Sequence, residues 1–246
     1  MGRIVCGLWK HERISGPAST WIKQEHSRWV LSFIKVPMTF TVDPPADGHV
    51  NMARDVELLR LAEGGQAGAR VYTWSEIWVT LGRFQTAEEA LLQDVPSIVR
   101  PTGGRAVLHG HDMTVGIAIP HNLRGGASRS VREVYRTLVR PLALALRQCG
   151  LTAHLAEETK HANKGLVSAD CFAFSSPNDV VDDVTGSKVC GCALRVTDRA
   201  ALLQASIPYR ESLLPIQEVI QGAVPIDLTP WRHDLLAESL RFALTL

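Results

Sequence analysis

The chain has 246 residues, 21% of them charged, and its 26 Lys and Arg against 25 Asp and Glu leave a net charge of +1. That length holds one large or two small domains with a sizeable core, and the composition excludes disordered, collagen-like, coiled-coil and disulfide-stapled chains. The charge balance leaves no electrostatic footprint for nucleic acid or an anionic membrane as a partner.

No window reaches the roughly 18 uncharged apolar residues of a membrane span, and the opening segment lacks the order of a secretory signal. Five cysteines, at 6, 149, 171, 190 and 192, read as reduced thiols of a cytoplasmic protein, one or more of them reactive. Residues 1–37 hold Trp9, Trp21 and Trp29 without a sustained period. They read as an N-terminal extension, or as an artefact of the assigned start with Met38 as the working initiator.

A β-prone stretch, Thr39 to Val42, opens the regular part of the chain. Residues 51–63 predict a helix, with Met52, Val56, Leu59 and Ala62 at helical steps and Gly64-Gly65 as its stop. Short β-branched runs at 69–72, 76–81, 97–100, 106–109 and 114–119 predict strands. Residues 130–149 form the clearest helical stripe, with Ser130 and Glu133 as a capping box and Pro141 predicting a kink or a break. A second strand group follows at 172–174, 179–184, 187–195 and 201–208, then a closing helix over 230–245. This order predicts a single α+β domain over residues 38–246, a mixed or antiparallel sheet packed with helices, with no accessory domain after it.

Chemistry concentrates in Arg100-Pro-Thr-Gly-Gly-Arg-Ala-Val-Leu-His109. Gly103 and Gly104 let the backbone turn tightly and approach a ligand. Arg100 and Arg105 flank them as partners for phosphate or carboxylate, and Arg83 opens another loop after the strand ending at Leu81. His109, His111, Asp112, Cys190 and Cys192 invite a metal reading, but Cys-x-Cys is not a zinc spacing and no second pair matches it. No metal site is predicted, and His111 is expected at the surface.

Taken in order, Asn51-Met-Ala-Arg-Asp55, Leu81-Gly-Arg-Phe-Gln85, the run from Arg100 to His109, and Gly186-Ser-Lys-Val-Cys-Gly-Cys-Ala193 resemble the lipoate and octanoate attachment enzymes. These share a catalytic fold with biotin protein ligases, and the resemblance covers roughly Met38 to the C-terminus. It implies an acyl pocket beneath the glycine loop, with His109 matching the family's loop histidine and Lys188 its active-site lysine, aimed at the acyl carbonyl or acyl phosphate. The strand neighbours of Lys188 offer few counter-charges in the sequence.

Cys171, in Ser168-Ala-Asp-Cys-Phe-Ala-Phe174, resembles the cysteine of one branch of octanoyltransferases. There the thiolate takes an octanoyl group from acyl carrier protein and passes it to a lysine of a lipoyl domain or glycine cleavage H protein, with no cofactor. A nearby Lys188 is expected to lower the thiol pKa. The resemblance leaves an alternative, an ATP-dependent lipoate-protein ligase acting through lipoyl-adenylate with ATP and Mg2+. Arg83, the glycine loop, Asn178, Asp179 and Lys188 would then handle nucleotide and acyl phosphate. A lipoyl or octanoyl amidotransferase and a non-catalytic acyl-binding relative complete the alternatives. Leu194 and Gln204-Ala-Ser206 depart from the transferase pattern, which has Gln and His-Gly in the comparable places.

Overall fold

The computed structural model describes residues 37–124 and 130–245; the reading of residues 1–37 as an extension falls, but for Pro37, outside them. Seven strands form the main sheet: β1 (Met38–Val42), β2 (Ala67–Tyr72), β6 (Asp112–Pro120), β7 (Ala153–Leu155), β10 (Val180–Asp182), β11 (Lys188–Val196) and β12 (Ala200–Pro208). Their order is β1-β2-β6-β12-β11-β10-β7. The first pair is parallel and the others are antiparallel, so the sheet is mixed, in accord with the α+β expectation. A smaller sheet joins β3 (Val79–Leu81) to β4 (Ser97–Val99) and β5 (Val107–Leu108) in the order β4-β3-β5. A ribbon pairs β8 (Lys164–Gly165) with β9 (Phe174–Ser175).

Strand alternation splits the residues of the main sheet between two layers. Val115, Ile117 and Ile119 of β6, with Leu203 and Ile207 of β12, face helices α2 (Val131–Gln148) and α3 (Leu236–Thr245). Val134, Leu138, Leu142 and Leu146 of α2 meet them fully buried. Each such side chain contributes about 2 kcal/mol, and Leu142→Ala is expected to cost about 2–5 kcal/mol. Helix α2 runs unbroken through buried Pro141, so of the kink or break expected there the break does not occur. Burial of its apolar stripe offsets the one backbone bond that proline removes. Ser130 takes the N-cap position without a side-chain cap bond, so the expected capping box does not form. The closing helix begins at Leu236, after a short 3-10 turn, rather than at Pro230.

The other face carries α1 (Gly48–Glu63). Its cap is Asp47, whose carboxylate accepts from Val50 N at 2.9 Å, so the helix starts three residues before the expected Asn51. Leu58, Leu59 and Ala62 pack on Ala118, Ala200 and Leu202. Deeper in the same layer, Asp55 accepts from Arg70 (2.7 Å), Tyr72 (2.7 Å) and Gln204 (2.5 Å), which ties helix to sheet. Beside the first turns of α1, which bring Met52 to it, residues of the small sheet and of the main sheet line a common space, the candidate site. No helix among the described residues is long and apolar enough to cross a membrane.

Candidate active site

The glycine loop is built around a buried arginine. Arg100 is 4% exposed and aims its guanidinium inward, at Thr102 Oγ1 (3.1 Å), Thr80 O (3.1 Å), Gly103 O (2.6 Å) and Arg105 O (2.7 Å). Its N–H groups thus hold the shape of the loop, while the side chain also lines the cavity expected to take a ligand. Gly104 has φ +87°, and a Cβ built on Gly82 would lie 1.9 Å from Gly104 O. The two loops therefore pack backbone to backbone, where only glycine fits. Arg83 and Arg105 stay near the surface, their guanidiniums over the rings of Phe84 (4.9 Å) and Phe174 (5.2 Å).

Next to Arg100 opens a cleft with about 340 Å3 of empty space, solvent at its mouth included, lined by residues of both sheets and by Cys171. Cys171 is held by a backbone bond from its N to Ala106 O at 2.9 Å, just past the glycine loop. Its sulfur rests against Gly191, where a Cβ would come within 3.0 Å of it. Lys188 reaches the same sulfur at 3.4 Å, and also donates to Cys171 O (2.7 Å) and Phe174 O (3.1 Å). A bulge aims it there. Adjacent Val180 and Val181 pair with Cys190 and Lys188, two positions apart, so β11 carries one extra residue. Val189 and Cys190 both enter the helix-side core, and the Lys188 ammonium reaches Cys171, which lines the cavity.

Lys188 is not short of counter-charge. Asp179, just before β10, meets its ammonium at 2.8 Å with both side chains 4% exposed. The expectation of few counter-charges fails because the partner comes from the neighbouring strand rather than from β11 itself. Burial pulls the Lys188 pKa down, but Cys171 and Asp179 outweigh it and hold the amine charged. The Cys171 thiol is pushed up by burial, against the opposing pull of Lys188. The expected lowering is thus reversed in the resting protein, because burial outweighs an ammonium already paired with Asp179.

Asp179 also accepts from Ser176 N and Oγ (both 2.8 Å) and from Cys192 N (3.1 Å). A carboxylate so engaged has little left to offer the nucleotide and acyl phosphate that the ligase alternative assigns to Asn178 and Asp179. Asn178 does not line the cavity. His109 does, with Thr80 Oγ1 2.8 Å from its Nε2 and Asp112 Oδ2 2.8 Å from its Nδ1. His111, expected at the surface, is 3% exposed with both ring nitrogens unpartnered, and burial lowers its pKa. Among the described residues no three His, Cys, Asp or Glu side chains converge on a metal position.

The cavity also contains side chains absent from the sequence-based set: Thr80, Trp74, Thr114, Gln204 and Ser206. Gln204 and Ser206 stood out only as departures from a pattern. Their alternation in an otherwise apolar strand, Leu202-Leu203-Gln204-Ala205-Ser206, is the signal that marks a polar cavity wall.

Residues 47–227 match the lipoyl protein ligase A/B catalytic domain. The chain belongs to that family. Among curated members, octanoyltransferase LipM of an Exiguobacterium species is 32% identical over 171 residues, 64% of this chain and 60% of that protein. LipM of Carboxydothermus hydrogenoformans is 36% identical over 156 residues, 59% of this chain and 55% of that protein. The matched stretch thus spans less than two thirds of these relatives. Among solved structures, a lipoate-protein ligase A bound with ATP superposes with a TM-score of 0.65 at 19% identity, covering 85% of each chain. A bi-partite lipoate protein ligase of Thermoplasma acidophilum, described with its E2 lipoyl domain, gives 0.61 at 19% identity over 85% of this chain and 83% of that one. The lipoate ligase fold is therefore shared.

Proposed function

We propose that this chain is an octanoyltransferase of protein lipoylation that works through a thioester on Cys171. The observation that carries the proposal is the Cys171–Lys188 contact at 3.4 Å, at the wall of a cleft that Cys171 lines together with Arg100 of the glycine loop. The Cys171 sulfur attacks the carbonyl of an octanoyl thioester on acyl carrier protein. A new S–C bond forms, the bond to the carrier sulfur breaks, and the thiol proton leaves with the carrier thiol. Thioester is exchanged for thioester, so the step draws on no nucleotide.

Lys188 steadies the thiolate as it forms. Once the sulfur is acylated, the N–H that pointed at it can turn to the carbonyl oxygen of the same thioester. A lysine amine of a lipoyl domain or glycine cleavage H protein then takes the octanoyl group as an amide, and Cys171 returns as a thiol. His109, Gly103 and Gly104 shape the pocket, and Arg83 and Arg105 border the approach. In this reading residues 38–246 form the catalytic domain, in a reducing cytoplasm that suits its free thiols. The ATP-dependent route has less support, because Asp179 is already bonded to Lys188, Ser176 and Cys192.

Incubation with an octanoyl thioester and intact-mass measurement tests the proposal. An octanoyl adduct that maps to Cys171 and is absent from Cys171→Ala is the expected result. Full transfer by Cys171→Ala would reject the mechanism.

A further inference from the structure

Cys171 and Lys188 supply a nucleophile and a charge, but no group to receive a proton. Lys188 is held as an ammonium, and the Asp179 carboxylate is occupied by four donors. An acceptor lysine reaches the site as an ammonium and cannot attack a thioester until it has lost a proton. Asp170, next to Cys171 in sequence, does not line the cavity.

Thr80 and His109 line the same cavity as Cys171 and, with Asp112 behind them, have the geometry of a base. Asp112 Oδ2 lies 2.8 Å from His109 Nδ1, and His109 Nε2 lies 2.8 Å from Thr80 Oγ1. The Asp112 oxygen also accepts from Ser206 Oγ (2.6 Å) and Thr114 Oγ1 (3.1 Å). Burial pushes the Asp112 carboxyl up, but His109 and these bonds outweigh it and bring the pKa to about 2, so the group is ionised. An ionised carboxylate assigns the proton to Nδ1, which leaves the Nε2 lone pair facing the Thr80 hydroxyl. Trp74 stacks on the imidazole at 4.0 Å and 19°, and its indole N–H bonds Thr114, so the ring cannot turn. Arg100 Nη1 stands 3.3 Å from Thr80 Oγ1, and its charge also acts on the Cys171 thiol. A hydroxyl, a base and an orienting acid in line recur wherever a proton must be taken from a nucleophile.

We infer that Thr80, His109 and Asp112 form a proton relay that serves the acceptor amine. The inference rests on the acyl-Cys171 reading given above. The ammonium gives a proton to Thr80 Oγ1 as Thr80 gives its own to His109 Nε2. The freed amine attacks the Cys171 thioester, the N–C bond forms and the C–S bond breaks. The second N–H proton goes to the Cys171 sulfur, and the imidazolium releases its proton to solvent. Thr80 is the catalytic residue of this set, His109 the acceptor behind it, and Asp112 a positioning residue.

The test separates the two half-reactions. Wild type, Thr80→Val, Thr80→Ser and Asp112→Asn are loaded from an octanoyl thioester, and acyl-enzyme formation is followed by intact mass. Each isolated acyl-enzyme is then given either a lipoyl domain or hydroxylamine, an amine already uncharged at neutral pH. Thr80→Val is expected to load normally, to lose transfer to the lysine by about 100-fold, the lower range for general base catalysis, and to keep transfer to hydroxylamine within about twofold. Thr80→Ser restores lysine transfer. Asp112→Asn, which reverses the imidazole tautomer, gives the same split by a second route and keeps the test valid if Thr80→Val does not fold. Lysine transfer at the wild-type rate in loaded Thr80→Val and Asp112→Asn overturns the relay alone, as does an equal loss toward both amines. Absence of any adduct on wild-type Cys171 overturns the thioester reading, and the relay with it.

Discussion

The Asp179 carboxylate lies 2.8 Å from the Lys188 ammonium, and neither side chain is more than 4% exposed. Removing one partner of such a pair strands the other charge away from water. Asp179→Ala is therefore expected to lower stability by about 3–5 kcal/mol and to slow Cys171 acylation. Urea unfolding and acyl-adduct formation measure the two effects. A variant as stable as wild type would show that Lys188 finds water when its partner is gone.

Gly191 sets the room available to the nucleophile. A Cβ there comes within 3.0 Å of the Cys171 sulfur, against a side chain that can shift. Gly191→Ala is expected to fold with a loss of no more than about 1–3 kcal/mol. Misplacing the sulfur by a fraction of an ångström is nonetheless expected to slow acylation by roughly 100-fold. Thermal unfolding together with single-turnover acylation separates the two outcomes, and an unchanged acylation rate would contradict the assignment.

Two neighbouring glycines give opposite expectations. At Gly82 a Cβ meets Gly104 O at 1.9 Å, backbone against backbone, with no rotamer to relieve it. Gly82→Ala should displace the glycine loop, cost at least about 1–3 kcal/mol and raise KM for the acyl donor. At Gly103 a Cβ meets nothing within 4 Å, so Gly103→Ala should leave the unfolding midpoint close to wild type. Equal behaviour of the two variants would argue against this loop packing.

Two buried carboxyls act on stability in different pH windows. Burial pushes Asp170 up from 3.8 to about 6, against backbone bonds that oppose the shift. Its folded pKa is the higher one, so the native state binds the extra proton and stability falls as pH rises from about 4 to about 6, by roughly 3 kcal/mol. Asp112 is brought down to about 2. Its contribution is present above about pH 4 and is lost as pH falls toward 2. Urea midpoints across pH 2–8 should show Asp170→Asn flattening the upper window and Asp112→Asn the lower, each leaving the other in place.

Helix α2, the apolar strands and the mixed sheet follow from local periodicity, and periodicity is what the sequence displays. Lys188 and Cys171 could be picked out by motif, but not their contact, because one extra residue in β11 decides which way Lys188 points. The same limit hid Asp179 as its partner, since strand pairing brings them together across nine positions of chain. His111 looked like a surface residue because nothing in Gly110-His111-Asp112 shows that Tyr209 and Arg210 return to bond its carbonyl. Pro141 left a kink and a break open, and the helix continues without the break because a rule about one lost hydrogen bond carries no information about the core packed around it.

Gln204 uses both ends of its amide, taking a hydrogen bond from Thr102 of the glycine loop (2.6 Å) and giving one to Asp55 of α1 (2.5 Å). An amide has a head and a tail, so this bridge is directional: reversing it would set acceptor against acceptor at the Asp55 carboxylate. The glycine loop is thereby latched to the same carboxylate that anchors α1 through Arg70 and Tyr72. Any displacement of the loop at Thr102 tugs on the keystone of the helix, so its cost is shared by a part of the molecule that lies outside the loop.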